Sequence, residues 1–460
     1  MAGPRHVGVI DIGKTNAKVA VVDLESEREI GVLTRANTVL AGPPYPHFDL
    51  EGHWAFICDA LARLHAAHGI EAISVTTHGA SAVLLDKDGN PAAPMLDYEH
   101  GGPDALAARY DAIRPEFAET GSPRLPMGLN LGAQLHWQLA TDPGLLERTA
   151  TVLTYPQYWG YLLTGVLANE ATSLGCHTDL WAPFSDTWSS LVGRLGLADR
   201  MAPVRKAGDR LGSILPAIAD RTGLPEGVPV ACGIHDSNAS LYPHLLRRNA
   251  PFSVVSTGTW VIVLAVGGGK ADLDPARDTL INVDAFGSPV PSARFMGGRE
   301  FEIICDGHGR EWSDRDVTSV LNQGAMLLPA VDPRSGPFQG RRQRWTVPET
   351  GLSEGERFVA LSCYLALMTR ECLSIAGAAG PVVVEGPFAR NPLYRRMLQA
   401  ASGCPVVAEE NSLTGTAIGA ALLHASAEQH PGTAAGDTGS TSDADSGFAD
   451  YASRWRDLIG

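Results

Sequence analysis

The chain is short of positive charge. Over 460 residues, 36 Lys and Arg stand against 51 Asp and Glu, a formal net charge of −15. A sequence-independent grip on nucleic acid needs a surplus of cations, so nucleic acid is excluded as a partner, and an anionic membrane surface with it. A nucleotide is not excluded, because a few local donors and a metal suffice. Cysteine is sparse too: seven residues, odd in number and never spaced as CxxC. Cys176 and His177 adjoin, yet nothing near them completes a zinc set. All seven are expected as reduced thiols, which implies the cytoplasm. The opening "MAGPRHVGVIDIG" lacks the apolar core of a signal peptide, and no run of bilayer length is expected.

What is present is ordinary for a folded α/β protein: 44% apolar and 19% charged residues. The length exceeds what one core supports, so two domains are expected, 1–243 and 244–460. Strands are predicted at 7–10, 17–22, 73–77, 228–232, 253–255, 261–266 and 382–385, with helices at 54–68, 358–376 and 416–427. Gly69 suits the end of the first helix. Residues 428–447, rich in Gly, Ser, Thr, Asp and Ala, read as a flexible loop before a last amphipathic stretch.

A weak internal repeat carries more. "VGVIDIGKTNAKVAVV" aligns with "FSVVSTGTWVIVLAV" (252–266) when Gly13 is set over Gly258. Each copy reads strand, small polar turn, strand, and Asp11 of the first stands where Ser256 stands in the second. Backbone N–H groups at such a turn form a concavity that holds an anion. Thr15 and Lys18 add donors. An aspartate beside a phosphate site needs a divalent cation between them, so Asp11 is the candidate Mg²⁺ ligand.

With these motifs in order, the chain resembles the FGGY carbohydrate kinases of the actin–hexokinase ATPase superfamily. The first hairpin matches that family's phosphate-1 motif at Asp11, Gly13, Thr15 and Lys18, and "STGTW" (256–260) resembles its phosphate-2 motif. "CGIHDSNASLYP" (232–243) resembles the segment that supplies the catalytic base, and "VVVEGPFARNPLYRRMLQAASGCPV" (382–406) the adenosine motif. "ENSLTGTAIGAALL" (410–423) matches the small-residue helix expected to pack behind the adenosine turn. The resemblance implies two ribonuclease-H-like domains flanking an interdomain nucleotide cleft, with ATP and Mg²⁺ as ligands. It implies that a small sugar is the acceptor, with no membrane or nucleic-acid partner, and it leaves a homodimer open.

Residue by residue, the resemblance implies Asp236 as general base and Asp11 as metal ligand. Gly13, Lys14, Thr15, Lys18, Thr257, Gly258, Thr259, Gly386, Pro387 and Asn391 fall on the nucleotide side. Lys14 stands where many members have threonine, so it is either a phosphate contact or surface charge. His78, Gly79, Asp97, Tyr98, Glu99 and His235 fall on the sugar side. Arg299 and Glu300, in "MGGREFEII", receive no role. An aspartate at its ordinary pKa of about 3.9 is already an acceptor at neutral pH. "DIGKTNAKVAV", "MGGREFE" and "DPRSGPFQG" resemble the kinases of rhamnulose and fuculose more than those of glycerol, with xylulose and ribulose open. The rival expectation is a sensor or chaperone-type ATPase on the same fold.

Overall fold

A computed structural model describes residues 3–409, 415–425 and 444–460. The chain divides into two compact units. The first holds the described residues up to Arg247, then Ile281–Pro289 and 415–425; the second holds Arg248–Leu280, Val290 to residue 409, and 444–460. The first unit thus runs to Arg247 without a break, and two later segments return to it.

Each unit is built on one mixed sheet. In the first, His6–Ile12 pairs antiparallel with Asn16–Asp23, and that strand pairs antiparallel with Arg28–Ala36. On its other side His6–Ile12 runs parallel to Ala72–Thr77, which runs parallel to Pro229–Ala231. In the second, Phe252–Thr257 pairs antiparallel with Val261–Val266, and that strand with Pro289–Phe295. Its other neighbour, Val382–Glu385, is parallel, and Val406–Glu409 is parallel beyond it. Order and sense repeat over these five strands, so the likeness of the two hairpins extends to the centre of each sheet. All six residues of Ala72–Thr77 are buried, as a parallel strand covered on both faces requires.

Helices close the cores. Leu50–His68 starts at Asp49, whose carboxylate accepts the Gly52 N–H at 2.9 Å, and stops at Gly69 with φ 73°. Its face of Ile57, Leu61 and Leu64 packs with Ile10, Val19 and Val75 of the sheet. In the second unit Glu354–Ile375 opens with a capping box between Ser353 and Glu356. This helix corrects the expectation that no segment reaches bilayer length. By length and composition it qualifies, and 83% of its most apolar window is buried inside the protein.

The helix Thr416–Ala421 corrects another expectation. It lies in the first unit against Asp236–Arg247, so closely that a Cβ on Gly419 would stand 1.7 Å from the Ala239 carbonyl oxygen. Its small residues therefore serve the helix that begins at Asp236, not the adenosine turn. Of the loop expected at 428–447, residues 428–443 lie outside the described residues, and 444–447 open the helix Ala444–Ile459. None of the seven cysteines forms a disulfide, and six of them are buried.

Candidate active site

In the first unit, Gly13, Lys14 and Thr15 form the three-residue loop between His6–Ile12 and Asn16–Asp23. Gly13 N–H donates to the Asn16 carbonyl at 2.9 Å, and the Asn37 amide donates to the Gly13 carbonyl at 2.8 Å. A Cβ on Gly13 would meet only the Asn16 oxygen, at 3.6 Å, an ordinary contact. The fold does not need glycine there, which leaves close approach of a ligand as the use of its bareness.

Asp11 sits opposite Lys18 across the hairpin, with their charged atoms 3.3 Å apart. Lys18 is also bonded to Glu29 at 2.8 Å, so its ammonium is divided between two carboxylates. Burial raises the Asp11 carboxyl above its ordinary value, Lys18 works the other way, and the charge of Asp236 raises it further. Asp11, raised further by Asp236 and with its one lysine shared with Glu29, forms a site short of positive charge. A divalent cation fits that deficit.

Asp236 begins its helix at the end of the strand Ile234–His235. Its Oδ1 accepts the Ser237 N–H at 2.6 Å and lies 3.1 Å from His235 Nε2. Among the described residues, Oδ2 accepts no hydrogen bond, and the side chain is 32% exposed. One oxygen is held while the other is available. Burial of the surroundings raises the Asp236 carboxyl, with nearby His78 acting in opposition, which corrects the expectation of an unperturbed aspartate.

His235 is buried, and burial lowers it to about 4, so the ring is neutral near pH 7. The Asn238 amide donates to Nδ1 at 3.3 Å, which leaves the proton on Nε2, 3.1 Å from Asp236 Oδ1. His235 therefore packs against the carboxylate as a neutral ring. Gly79 exists for this ring: a Cβ there would stand 2.7 Å from His235 Nε2.

His78 follows the strand Ala72–Thr77 and is 5% exposed. Its Nδ1 lies 3.0 Å from the Gly79 carbonyl, which fixes the proton on that nitrogen. Burial lowers the ring to about 4, so Nε2 is a bare acceptor, and it has no hydrogen-bond partner. The ring is walled by Phe48, Tyr98 and Tyr155, with centroids 5.1–5.2 Å away. A buried acceptor without a donor is costly unless a ligand supplies one.

Asp97, Tyr98 and Glu99 gather around Lys14, with the Glu99 side chain still exposed. The ammonium pairs with Asp97 Oδ1 and with Glu99 Oε2 at 3.2 Å, and lies 4.5 Å from the Tyr98 ring centroid.

In the second unit, Gly258, Thr259 and Trp260 join Phe252–Thr257 to Val261–Val266. Gly258 resembles Gly13, since a Cβ would meet only the Trp260 oxygen at 3.9 Å. A cavity of about 600 Å³ opens beside it, lined by Gly258, Thr259, Pro387 and Asn391 together with aromatic walls from Phe301, Trp312, Phe358 and Phe388. Arg310 lies over the Phe301 ring at 5.0 Å. Thr257 and Asn391 are committed to the fold. The Thr257 hydroxyl donates to the Glu385 carbonyl and accepts the Phe388 N–H, while Asn391 caps the helix Pro392–Ser402 and reaches Ser362. Gly386 has φ +79°, and a Cβ there would lie 2.0 Å from the Thr257 carbonyl oxygen.

Comparison with known proteins places this arrangement. The model of the FGGY family of carbohydrate kinases, N-terminal domain, matches residues 6–242, and that of carbohydrate kinase FGGY, C-terminal domain, matches 249–432. The chain belongs to the FGGY family of carbohydrate kinases. An L-fuculokinase of Salmonella typhi is 26% identical over 275 residues, or 57% of each chain, so the match spans little more than half the length of that relative. A xylulose kinase of Streptomyces rubiginosus is 25% identical over 92% of this chain and 88% of its own. The crystal structure of a carbohydrate kinase from Novosphingobium aromaticivorans superposes with a TM-score of 0.88 at 36% identity, over 100% of this chain and 99% of that one. The fold is accordingly the actin–hexokinase type expected of the family.

Two buried glutamates received no role from the sequence. Glu170 is fully buried and accepts the Thr172 N–H at 2.8 Å, the Thr172 hydroxyl at 2.6 Å, and the Ser173 N–H and hydroxyl at 3.1 Å. The Thr172 hydroxyl in turn accepts the His235 N–H at 3.0 Å, so this glutamate anchors the backbone that presents Asp236. Burial raises Glu170 to about 7. In the second unit Glu300, also fully buried and raised to about 7, accepts the Asp332 N–H and the Tyr364 hydroxyl, both at 3.0 Å. It thereby pins the helix Gly297–Cys305, which lines the cavity through Gly298 and Phe301.

Proposed function

We propose that this chain transfers the γ-phosphate of ATP to a hydroxyl of a small uncharged sugar, a ketose such as L-rhamnulose, L-fuculose or D-xylulose. The observation that carries this reading is the state of Asp236: Oδ1 held by the Ser237 N–H with His235 Nε2 3.1 Å away, and Oδ2 without a partner among the described residues. A base for phosphoryl transfer needs one oriented oxygen ready for the acceptor proton and little else, because positioning and charge neutralisation dominate the reaction. His78 Nε2 would accept from a second hydroxyl and fix the sugar's orientation. Asp97, Glu99 and Lys14 stand around the same aromatic wall.

On the nucleotide side, the bare glycines at 13 and 258, with Thr15 and Thr259, suit phosphate oxygens. The aromatic cavity beside Pro387 suits the adenosine end. Asp11 would hold Mg²⁺, directly or through water, and the ion would neutralise the charge that develops on the phosphates. The choice of ketose rests on the names of relatives, a fuculokinase and a xylulose kinase among them.

A panel of ketoses, polyols and aldoses in an ATP-consumption assay tests the reading. Strict dependence on one sugar, with a phosphosugar product, is the expected outcome. Asp236→Asn should then lower kcat by roughly 10³-fold with the sugar KM little changed. ATP consumption that no sugar stimulates would favour a sensor or chaperone-type ATPase instead.

A further inference from the structure

The resemblance leaves Lys14 as either a phosphate contact or surface charge, yet its ammonium is held by neighbouring acidic side chains. Its ammonium reaches across 83 residues of sequence to Asp97 and, at 3.2 Å, to Glu99. It lies 4.5 Å from the Tyr98 ring centroid and 5.1 Å from that of Phe48. Those two rings also wall His78, whose Nε2 is buried and unpartnered. One aromatic surface therefore carries a cationic donor, an anionic acceptor and a bare imidazole acceptor.

We infer that Lys14 belongs to the acceptor-sugar site, where it and Asp97 act as a coupled donor and acceptor for neighbouring hydroxyls of an uncharged sugar. An ammonium has three donors and no acceptor capacity, and Asp97 and Glu99 occupy two of the three. The third can serve a sugar oxygen while the hydrogen of the adjoining hydroxyl turns to Asp97. The Tyr98 ring offers a flat apolar surface beside them.

The charge balance sets the substrate class. Lys14 faces Asp97 and Glu99, Asp236 stands at the same site, and His78 and His235 are neutral rings. A sugar acid would bring a further carboxylate to a region where acidic groups outnumber the single lysine, and that lysine is already shared. A neutral polyol or ketose meets no such penalty.

The inference rests on the kinase reading, and the test separates the two. With the sugar identified from the panel, Lys14→Met and Lys14→Arg are compared with the unaltered chain under varied sugar and varied ATP. Lys14→Met is expected to raise the sugar KM by about 10-fold or more while the ATP KM stays within about twofold, and Lys14→Arg to recover part of the loss. Melting temperature and ATP affinity measured by calorimetry without sugar are expected to be unchanged, which separates lost recognition from lost folding. A rise confined to the ATP KM would return Lys14 to the phosphates and overturn the inference alone. Turnover of an aldonic acid equal to that of its uncharged counterpart would overturn the substrate class. Failure of every sugar to stimulate the unaltered chain would sink the kinase reading, and this one with it.

Discussion

The two glycine hairpins share one backbone plan and diverge in chemistry. Each joins the central strand of its sheet to an antiparallel neighbour through three residues, and each has a glycine that the fold leaves bare. The first is charged, with Asp11, Lys14 and Lys18 within eight residues. The second, from Ser256 to Trp260, carries no charge. In the first unit the hairpin carries Asp11 close enough to Asp236 to feel its charge; in the second it borders an aromatic cavity. A duplicated frame thus carries charge in one copy and borders an aromatic cavity in the other.

The harshest way to break this contrast is to make the first copy resemble the second. Asp11→Ser removes the candidate metal ligand while leaving the strand pairing intact. A loss of about 100-fold or more in kcat/KM is expected, with a weaker response to added Mg²⁺. An activity within a few-fold of the unaltered chain would mean that Asp11 serves only as partner to Lys18.

The glycines sharpen the contrast between ligand approach and fold. Gly386 has a left-handed backbone and no room for a Cβ, so Gly386→Ala is expected to cost about 2–4 kcal/mol, read as a lower melting temperature. Gly13→Ala and Gly258→Ala should leave melting nearly unchanged, yet raise the ATP KM by roughly 10-fold by crowding the phosphates. Equal destabilisation at all three positions would remove the argument that 13 and 258 are kept bare for a ligand.

The repeat was readable from sequence because a hairpin is local: strand, turn and strand lie within sixteen residues, and alternating burial writes itself as apolar periodicity. Helix starts were readable in principle. The S-x-x-E box at Ser353 and the cap at Asp49 both precede the ranges that hydrophobic spacing alone marked out. The direction of Lys14 was not readable, since it is set by Asp97, Glu99 and Tyr98, which only the fold brings near. The same holds for Glu170, whose link to Asp236 passes through Thr172 and the His235 backbone. Sequence motifs name the residues that touch ligands, while the groups that aim them are chosen by packing.

The two buried glutamates offer the finest comparison of the units. Burial raises both Glu170 and Glu300 from 4.5 to about 7. A carboxyl that is harder to ionise when folded binds more protons in the folded chain than in the unfolded one between those values. Stability therefore falls as pH rises from about 4.5 to 7, by up to about 3 kcal/mol per group. Glutamine does not titrate, so Glu170→Gln and Glu300→Gln should each flatten the dependence of melting on pH over that window. The offsets should differ. Glu170 accepts from four donors, and a single amide oxygen leaves some of them unmet, whereas Glu300 accepts from two, so Glu300→Gln is expected to be the more stable variant at pH 8. A Glu170→Gln chain that kept the original slope would show that four donors hold this carboxylate ionised despite its burial, and that hydrogen bonding rather than desolvation governs the anchor behind Asp236.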